Sequence, residues 1–581
     1  MACVYKYKDK TFKTKEDLSI FLASPEGMKL QNEETSTLNV DVDEVRSKNI
    51  AGKRVSKGLA TTYETVDGVK IGTVSDVDLS IEYVKEKRPK IFIKNANILL
   101  GYPIVRGGLK RRTVKTVEDA QKVYDEFLDR ATENLGFLID NFEPRLAEIS
   151  TLWYDGANKI IHELSDKYNY TPEQVAAVMS ALSPQKDWYQ NVRLTELTLM
   201  AYADNAVMTS EMVDKQLDIS NNGITSYNNQ LLRANRKLKK SRSNKNKAEV
   251  SRLKNNLVKA KKKAPLLQEY LKANIGVKMS EAPIELQPYL VRLHSEVNIT
   301  KDYNIVTPDG RTLGLNKNED GANSKISWST YKEIGKAVSV INDGSHANIS
   351  VALGQMHKIR NFYNNMIDPM SEEGDLTMDT HAVGAVHFLP VSKDSNEVKS
   401  NFGTYKTGNS TAFGIKGLYY AYAEAYRRVA EERGMLPRQA QGITWEAIRG
   451  LYTKKFKSVK GNNSNIRSIW ERYEKGEISA EQARTESVES AGGITRPSWA
   501  QESVYDESKE STGESAVGGR IGGVDGNILG SNKGRGGVRG LTKDSQESIE
   551  DTSSIFDSQL DLLDLYSSKE ETQIKKDMDC G

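Results

Sequence analysis

The chain has 581 residues, 28% of them charged and 38% hydrophobic, with a formal net charge of +3. That length holds several domains, and the modest apolar share predicts solvated segments beside packed ones. Only Cys3 and Cys580 are present, at opposite ends, which excludes a disulfide scaffold, a four-cysteine zinc site and a cysteine-held iron–sulfur cluster.

The six histidines (162, 294, 346, 357, 381 and 387) include no pair at i, i+4, so neither a metal site nor a cofactor is expected. No run approaches the ~18 apolar residues of a membrane span, and the first ten residues lack an apolar signal core. The expectation is a protein with no membrane association that works in a reducing cytoplasm.

Residues 1–50 read as a small module, with a polar-aromatic strand and then a helix from Thr14 through Leu18 and Phe21. Residues 51–115 read as β-rich. Asp67-Gly68 sits between β-formers, and Lys90-Ile91-Phe92-Ile93 is a compact apolar run expected as a strand.

Helical periodicity runs from 116 to 475. Thr171-Pro172-Glu173-Gln174 is a capping box, and Val175, Val178, Met179 and Leu182 follow at the spacing of one buried face. Residues 204–329 read as a basic insertion. Between Leu232 and Lys263 lie fourteen Lys and Arg and a single acid, Glu249, which suits either a solvated helix or an arm that tracks phosphates. The stretch 264–330 reads as loop-rich. From 487 to 581 Gly, Ser and acids predict a disordered tail, whose Leu-rich segment around 555–565 suits a protein partner.

The stretch from Leu353 to Phe388 concentrates the chemistry. Gly354 marks a turn before a cationic helix that carries Lys358, and Asp379 stands at the start of an apolar helix. A helix N-terminus favours a carboxylate. A Lys and an Asp brought together there suit attack on, or stabilisation of, an electrophilic sugar carbon. The same residues also suit plain roles, with Asp379 a cap and Lys358 a surface cation.

Three separated pieces resemble the helix–hairpin–helix DNA glycosylase superfamily, endonuclease III most closely. Met378-Asp379-Thr380-His381 resembles its V-D-T-H, whose aspartate is catalytic. Leu353-Gly354-Gln355-Met356-His357-Lys358 resembles its hairpin, whose lysine attacks the sugar. Ala177 through Gln185 resembles A-V-L-L-S-A-Q, whose glutamine wedges into DNA. Trp445-Glu446-Ala447-Ile448-Arg449-Gly450 is a weaker match to a W-x-x-x-x-G helix. The hairpin departs from the family pattern, with Gly-Gln-Met where the family has Gly-Val-Gly. Leu152 to Ala157 (LWYDGA), with LSPQKDW and DTHAVGA, also resembles uncharacterised bacteriophage proteins.

The resemblance implies a mainly α fold: a helix–hairpin–helix glycosylase-like helical core, a small α+β N-terminal region and a disordered C-terminal tail. It implies a DNA N-glycosylase, with or without lyase activity, acting on a flipped base in a host cytoplasm or a virion. Base hypermodification on the same fold, or DNA binding without turnover, are the alternatives. Asp379 and Lys358 are the expected catalytic pair. Gln185, Trp188, Tyr189, Gly354, Arg360, His381 and Arg449 are expected to contact DNA or the base, although residues like Trp188 and Trp445 are more often core than base platforms.

Overall fold

The computed structural model describes residues 5–7, 10–12, 38, 40–66, 69–77, 80–106, 113–318, 321–401 and 417–501. Among them the fold is mainly α, with 21 helices and only three two-stranded sheets. No described helix is long and apolar enough to cross a membrane. The described chain divides into two units. One takes the residues up to His162, then 305–314 and 354 onward; the other takes 163–304 and 315–353.

In the first unit, Thr116 caps the Val117–Asp140 helix by accepting from Asp119 N. That helix buries Tyr124, Phe127, Leu128, Ala131, Leu135 and Leu138, a 3.6-residue stripe, against Tyr419–Glu432 and Pro437–Leu451. Pro437 opens the last helix at the position where its missing N–H costs nothing.

A strap from Val40 to Gly58, the short Val42–Ser47 helix followed by chain without regular structure, crosses the expected module boundary at residue 50 without a break. Arg145 donates to the carbonyls of Leu38 and Val40, and Asn49 donates to Asp155 Oδ1 at 2.6 Å. Gly52 N donates to Ile367 O at 2.8 Å, and Asn364 exchanges hydrogen bonds with both backbone groups of Val55. Arg54 pairs with Asp375. At the strap's end, a Cβ on Gly58 would lie 2.0 Å from His357 Nδ1, so only glycine fits there.

Leu59–Val66 and Val69–Asp76 pair antiparallel around positions 67 and 68, as the Asp-Gly signal predicts. Lys90–Ile93, expected as a strand, instead lies in the Pro89–Leu99 helix. The run is too short for periodicity to separate strand from helix, and Phe92, Asn95, Ala96 and Leu99 form its buried face. The Trp153–Tyr168 helix carries Gly156, where a Cβ would meet Pro308 O at 2.2 Å and Gly310 N at 2.4 Å. The tip formed by Pro308, Asp309 and Gly310 therefore lies directly on that helix.

The packed chain extends past the composition change at 487. The Ala480–Ala491 helix ends at Gly492, and Trp499, only 1% exposed, donates Nε1 to Glu446 Oε1 at 3.0 Å. The remaining tail, its Leu-rich segment and the helix expected from Thr14 lie outside the described residues.

In the second unit the capping box forms as read. Thr171 and Gln174 cap each other's backbone, and Val175 through Leu182 are buried against Tyr331–Asn342. Asp187 caps the next helix, Trp188–Ala203. The interval expected to be loop-rich holds the end of the Asn244–Ala273 helix and the Gln287–Asn298 helix. Trp328 is buried there and donates Nε1 to Ser295 Oγ at 2.8 Å.

Candidate functional site around Asp379

Asp379 is the N-cap of the Thr380–His387 helix. Its backbone is extended, and its Oδ1 accepts the Ala382 amide at 2.8 Å. The segment before it is held from two sides. Tyr419 OH donates to Leu376 O at 2.5 Å and accepts from Met378 N at 3.2 Å. Gln441 accepts from Thr377 N at 3.2 Å and donates to Thr377 O. Residues 376–378 are buried while Asp379 itself is partly exposed, so a fixed backbone presents a reachable carboxylate.

The second carboxylate oxygen, Oδ2, accepts from Trp445 Nε1 at 3.1 Å. The Trp445 ring meets Trp153 edge-on at 5.7 Å and His381 edge-on at 6.0 Å. Arg449, one turn further along the same helix, lies 4.0 Å over the Trp445 ring and 3.6 Å from Glu446. Tyr154 completes the surroundings, its hydroxyl hydrogen-bonded to Thr377 and Asn365 within electrostatic reach of Asp379. Burial pushes that phenol up to about 12.

Burial alone would favour the neutral acid at Asp379. Against it act His381, Lys358, the Ala382 amide and the Trp445 indole, and together they hold the carboxyl below the ordinary aspartate range. His381 is itself driven down to about 3, first by burial, so at neutral pH it is an uncharged imidazole. The standing positive charge beside the carboxylate is then that of Lys358. Lys457, just beyond the Trp445 helix, is lowered by burial and by Arg449, while Asp379 pulls it the other way. The arrangement is an ionised carboxylate, gripped on both oxygens, among two amines and a neutral imidazole.

Of the residues singled out in the sequence, Asp379, Lys358, His381 and Arg449 are brought into this one neighbourhood. Lys358 is the second residue of the His357–Ile367 helix and is partly exposed. Gly354 turns at φ 64°, as its place before that helix requires.

Arg360, expected to contact DNA, is 1% exposed. It donates to Ser56 O at 2.7 Å, to Ser56 Oγ at 3.0 Å and to Gly354 O at 3.1 Å. Its guanidinium fastens the strap to the turn, because a buried cation in an apolar setting needs every donor satisfied.

Gln185, Trp188 and Tyr189 belong to the second unit. Gln185 is exposed and sits at φ 60°, an uncommon left-handed conformation for a residue other than glycine. Trp188 is partly exposed at the first position of its helix. Tyr189, expected as a stacking face, is 7% exposed, because it falls among the buried positions of the Trp188–Ala203 helix with Asn191 and Leu194.

Sequence reasoning missed Tyr154 and Lys457 and read Trp445 as a core residue. The signal for Tyr154 was present in the LWYDGA run. Lys457 has no motif around it. Among the described residues no three His, Cys, Asp or Glu side chains converge as a metal site needs.

The sequence profile of a family of unknown function (DUF7178) matches residues 129–240 and 318–452. Over those stretches the chain is similar to that family. The matched residues take in Tyr154, Gln185, Lys358, Asp379, Trp445 and Arg449, and leave out Lys457 and the Asn244–Ala273 helix. Neither the curated proteins nor the solved structures yield a match.

Proposed function

We propose that this chain is a DNA-processing enzyme, of a kind resembling bacteriophage proteins, that breaks the N-glycosidic bond of a base flipped out of the duplex. The observation that carries the reading is the Asp379 carboxylate. It is kept ionised and partly exposed by the Ala382 amide and the Trp445 indole, with Lys358 beside it. Loss of a base builds positive charge on the sugar, and a fixed carboxylate stabilises that charge as it develops. Both carboxylate oxygens already accept a hydrogen bond, which suits charge stabilisation better than activation of water.

Lys358, once deprotonated, is the amine for attack on C1′. The new C–N bond forms as the base leaves with its electron pair, and loss of the amine proton gives the linkage from which a Schiff base arises. The reading is supported by a turn at Gly354 just before the Lys358 helix, the stretch whose sequence resembles that family's hairpin.

The test is base release from unmodified, damaged and phage-modified DNA, with the wild type and Asp379→Asn side by side. Asp379→Asn keeps the cap's size and removes its charge, so folding and DNA affinity are expected to hold while release is lost. Borohydride trapping on abasic DNA is expected for the wild type and not for Lys358→Gln. Equal turnover by wild type and Asp379→Asn on every substrate would overturn the reading.

A further inference from the structure

The Ser210–Lys240 and Asn244–Ala273 helices are joined by Ser241-Arg242-Ser243 and pack along their length. Tyr227, Ala234, Leu253, Leu257, Ala260 and Ala264 fill the seam. The start of the first helix also packs on the Gln287–Asn298 helix, whereas at the far end of the pair each helix spends its apolar stripe on the other. Charge along the pair is polarised. Glu211, Asp214 and Asp218 lie near the start of the first helix. Its end, the turn and the start of the second helix carry Arg236, Lys237, Lys239, Lys240, Arg242, Lys245 and Lys247 with no acid among them.

All seven of those cations are exposed, and among the described residues none makes an ion pair or a side-chain hydrogen bond. Helix stability accounts for only part of the pattern. Lys237, Lys239 and Lys240 fall in a last turn, where cations complement the helix dipole. Lys245 and Lys247 fall in the first turn of the second helix, which holds no acid at all, and there the dipole disfavours a cation. A cluster that repels itself and opposes its own helix end is accounted for by an anion outside the chain.

We propose that residues 236–247, the tip of this helix pair, are a phosphate-binding arm that grips duplex DNA without help from the Asp379 carboxylate. Single-stranded nucleic acid is bound largely by stacking bases on aromatic rings, and positions 228–269 contain no Phe, Tyr or Trp. An anionic membrane takes up amphipathic helices by a free apolar face; here the seam takes most of that face, and Leu232, Val258 and Leu266, the large apolar side chains left exposed on the pair, all lie outside 236–247. A stiff rod of flexible cations suits the regularly spaced phosphates of a duplex, with little preference for sequence. The choice of DNA over RNA rests on the proposed function.

The test uses the full chain with Lys237, Lys239, Lys240, Arg242, Lys245 and Lys247 all changed to Gln, and measures its affinity for a random duplex across a salt series. The log–log slope should become shallower by about 3 to 5, at ~0.9 for each lost phosphate contact, with affinity at ~150 mM salt down at least about tenfold. Arg242→Gln with Lys245→Gln and Lys247→Gln removes the cations that the second helix end disfavours. Its melting temperature should hold or rise while the slope still falls.

An unchanged slope in both variants overturns the arm. So does a loss of affinity for anionic vesicles, for a single strand or for duplex RNA that exceeds the loss for duplex DNA. Asp379→Asn should keep the wild-type slope. If wild type releases no base yet the arm variants change the slope, the glycosylase reading fails and the arm stands.

Discussion

Trp445 donates its indole proton to Asp379 Oδ2 across 3.1 Å, from a helix 66 positions further along the chain. The bond ties the cap of one helix to the face of another and leaves the carboxylate with a donor on each oxygen. Trp445→Phe keeps the ring beside Trp153 and His381 but removes the donor. The Asp379 pKa should therefore rise. A depressed carboxyl pKa adds stability above the unfolded value of ~3.9, lost as pH falls through the folded pKa, so the variant should lose part of that window. Because the site is partly exposed, we expect a cost near ~1 kcal/mol above pH 5. Carbon NMR of the Asp379 carboxyl and urea unfolding would check both, and an unshifted titration would refute the link.

Two buried imidazoles and a third, His381, that is partly exposed make acid the weak side of this fold. Burial lowers His357 and His387 to about 4 and His381 to about 3, all below the unfolded value of ~6.5. Below pH ~6.5 the unfolded chain takes up protons that the folded chain refuses, so stability falls as pH drops towards 4. His387 is fully buried, with Nε2 2.9 Å from Tyr422 OH, and alone accounts for on the order of 2–3 kcal/mol of that loss. His387→Gln should flatten the dependence of unfolding free energy on pH between about 4 and 6.5. A slope as steep as that of the wild type would count against it.

Gly156→Ala should be among the costliest small substitutions. The added methyl meets the backbone of Pro308 and Gly310, which cannot swing aside as a side-chain end can. We expect a loss of about 2–3 kcal/mol in chemical denaturation. A loss under ~0.5 kcal/mol would mean that the 308–310 tip moves away without cost.

The two amines near Asp379 should separate by role. Lys457→Gln removes a cation from the surroundings of Asp379 and His381 but leaves Lys358 in place. A cation there opposes the positive charge that builds on the sugar, so base release should quicken by up to about tenfold, or ~1.4 kcal/mol in the barrier, while borohydride trapping persists. Lys358→Gln should abolish trapping. Trapping lost in the first variant and kept in the second would exchange the two assignments.

Local signals in the sequence carried through wherever the physics is itself local. Thr171 and Gln174 form the expected box, and Asp379 caps the expected helix, because both depend on neighbours three positions away. Readings failed where distant partners decide. Arg360 looks like a surface cation on its helix until Ser56, 304 positions earlier, takes up its guanidinium. Tyr189 looks like a stacking ring until the core covers it. Trp445 reads as packing, and it does pack, but its one polar atom finds Asp379. Lys457 follows no pattern, since only the fold brings it near the carboxylate.

The strap bears on the timing of synthesis. Asn364 binds Val55 across 309 positions, and Tyr363 binds Lys53 O across 310. At ~5–20 residues per second, a ribosome takes roughly 15–60 s to make the chain between these partners. Residues 40–50 find Arg145, Asp155 and Asn158 early, but throughout that interval the seat of residues 52–58 does not yet exist. Residues 163–304 emerge in the meantime as a continuous stretch of the second unit. The half that holds Asp379 is therefore the last to close, and a nascent chain stopped before residue 357 should be cut by protease within 52–58 and protected there once 357–376 have emerged.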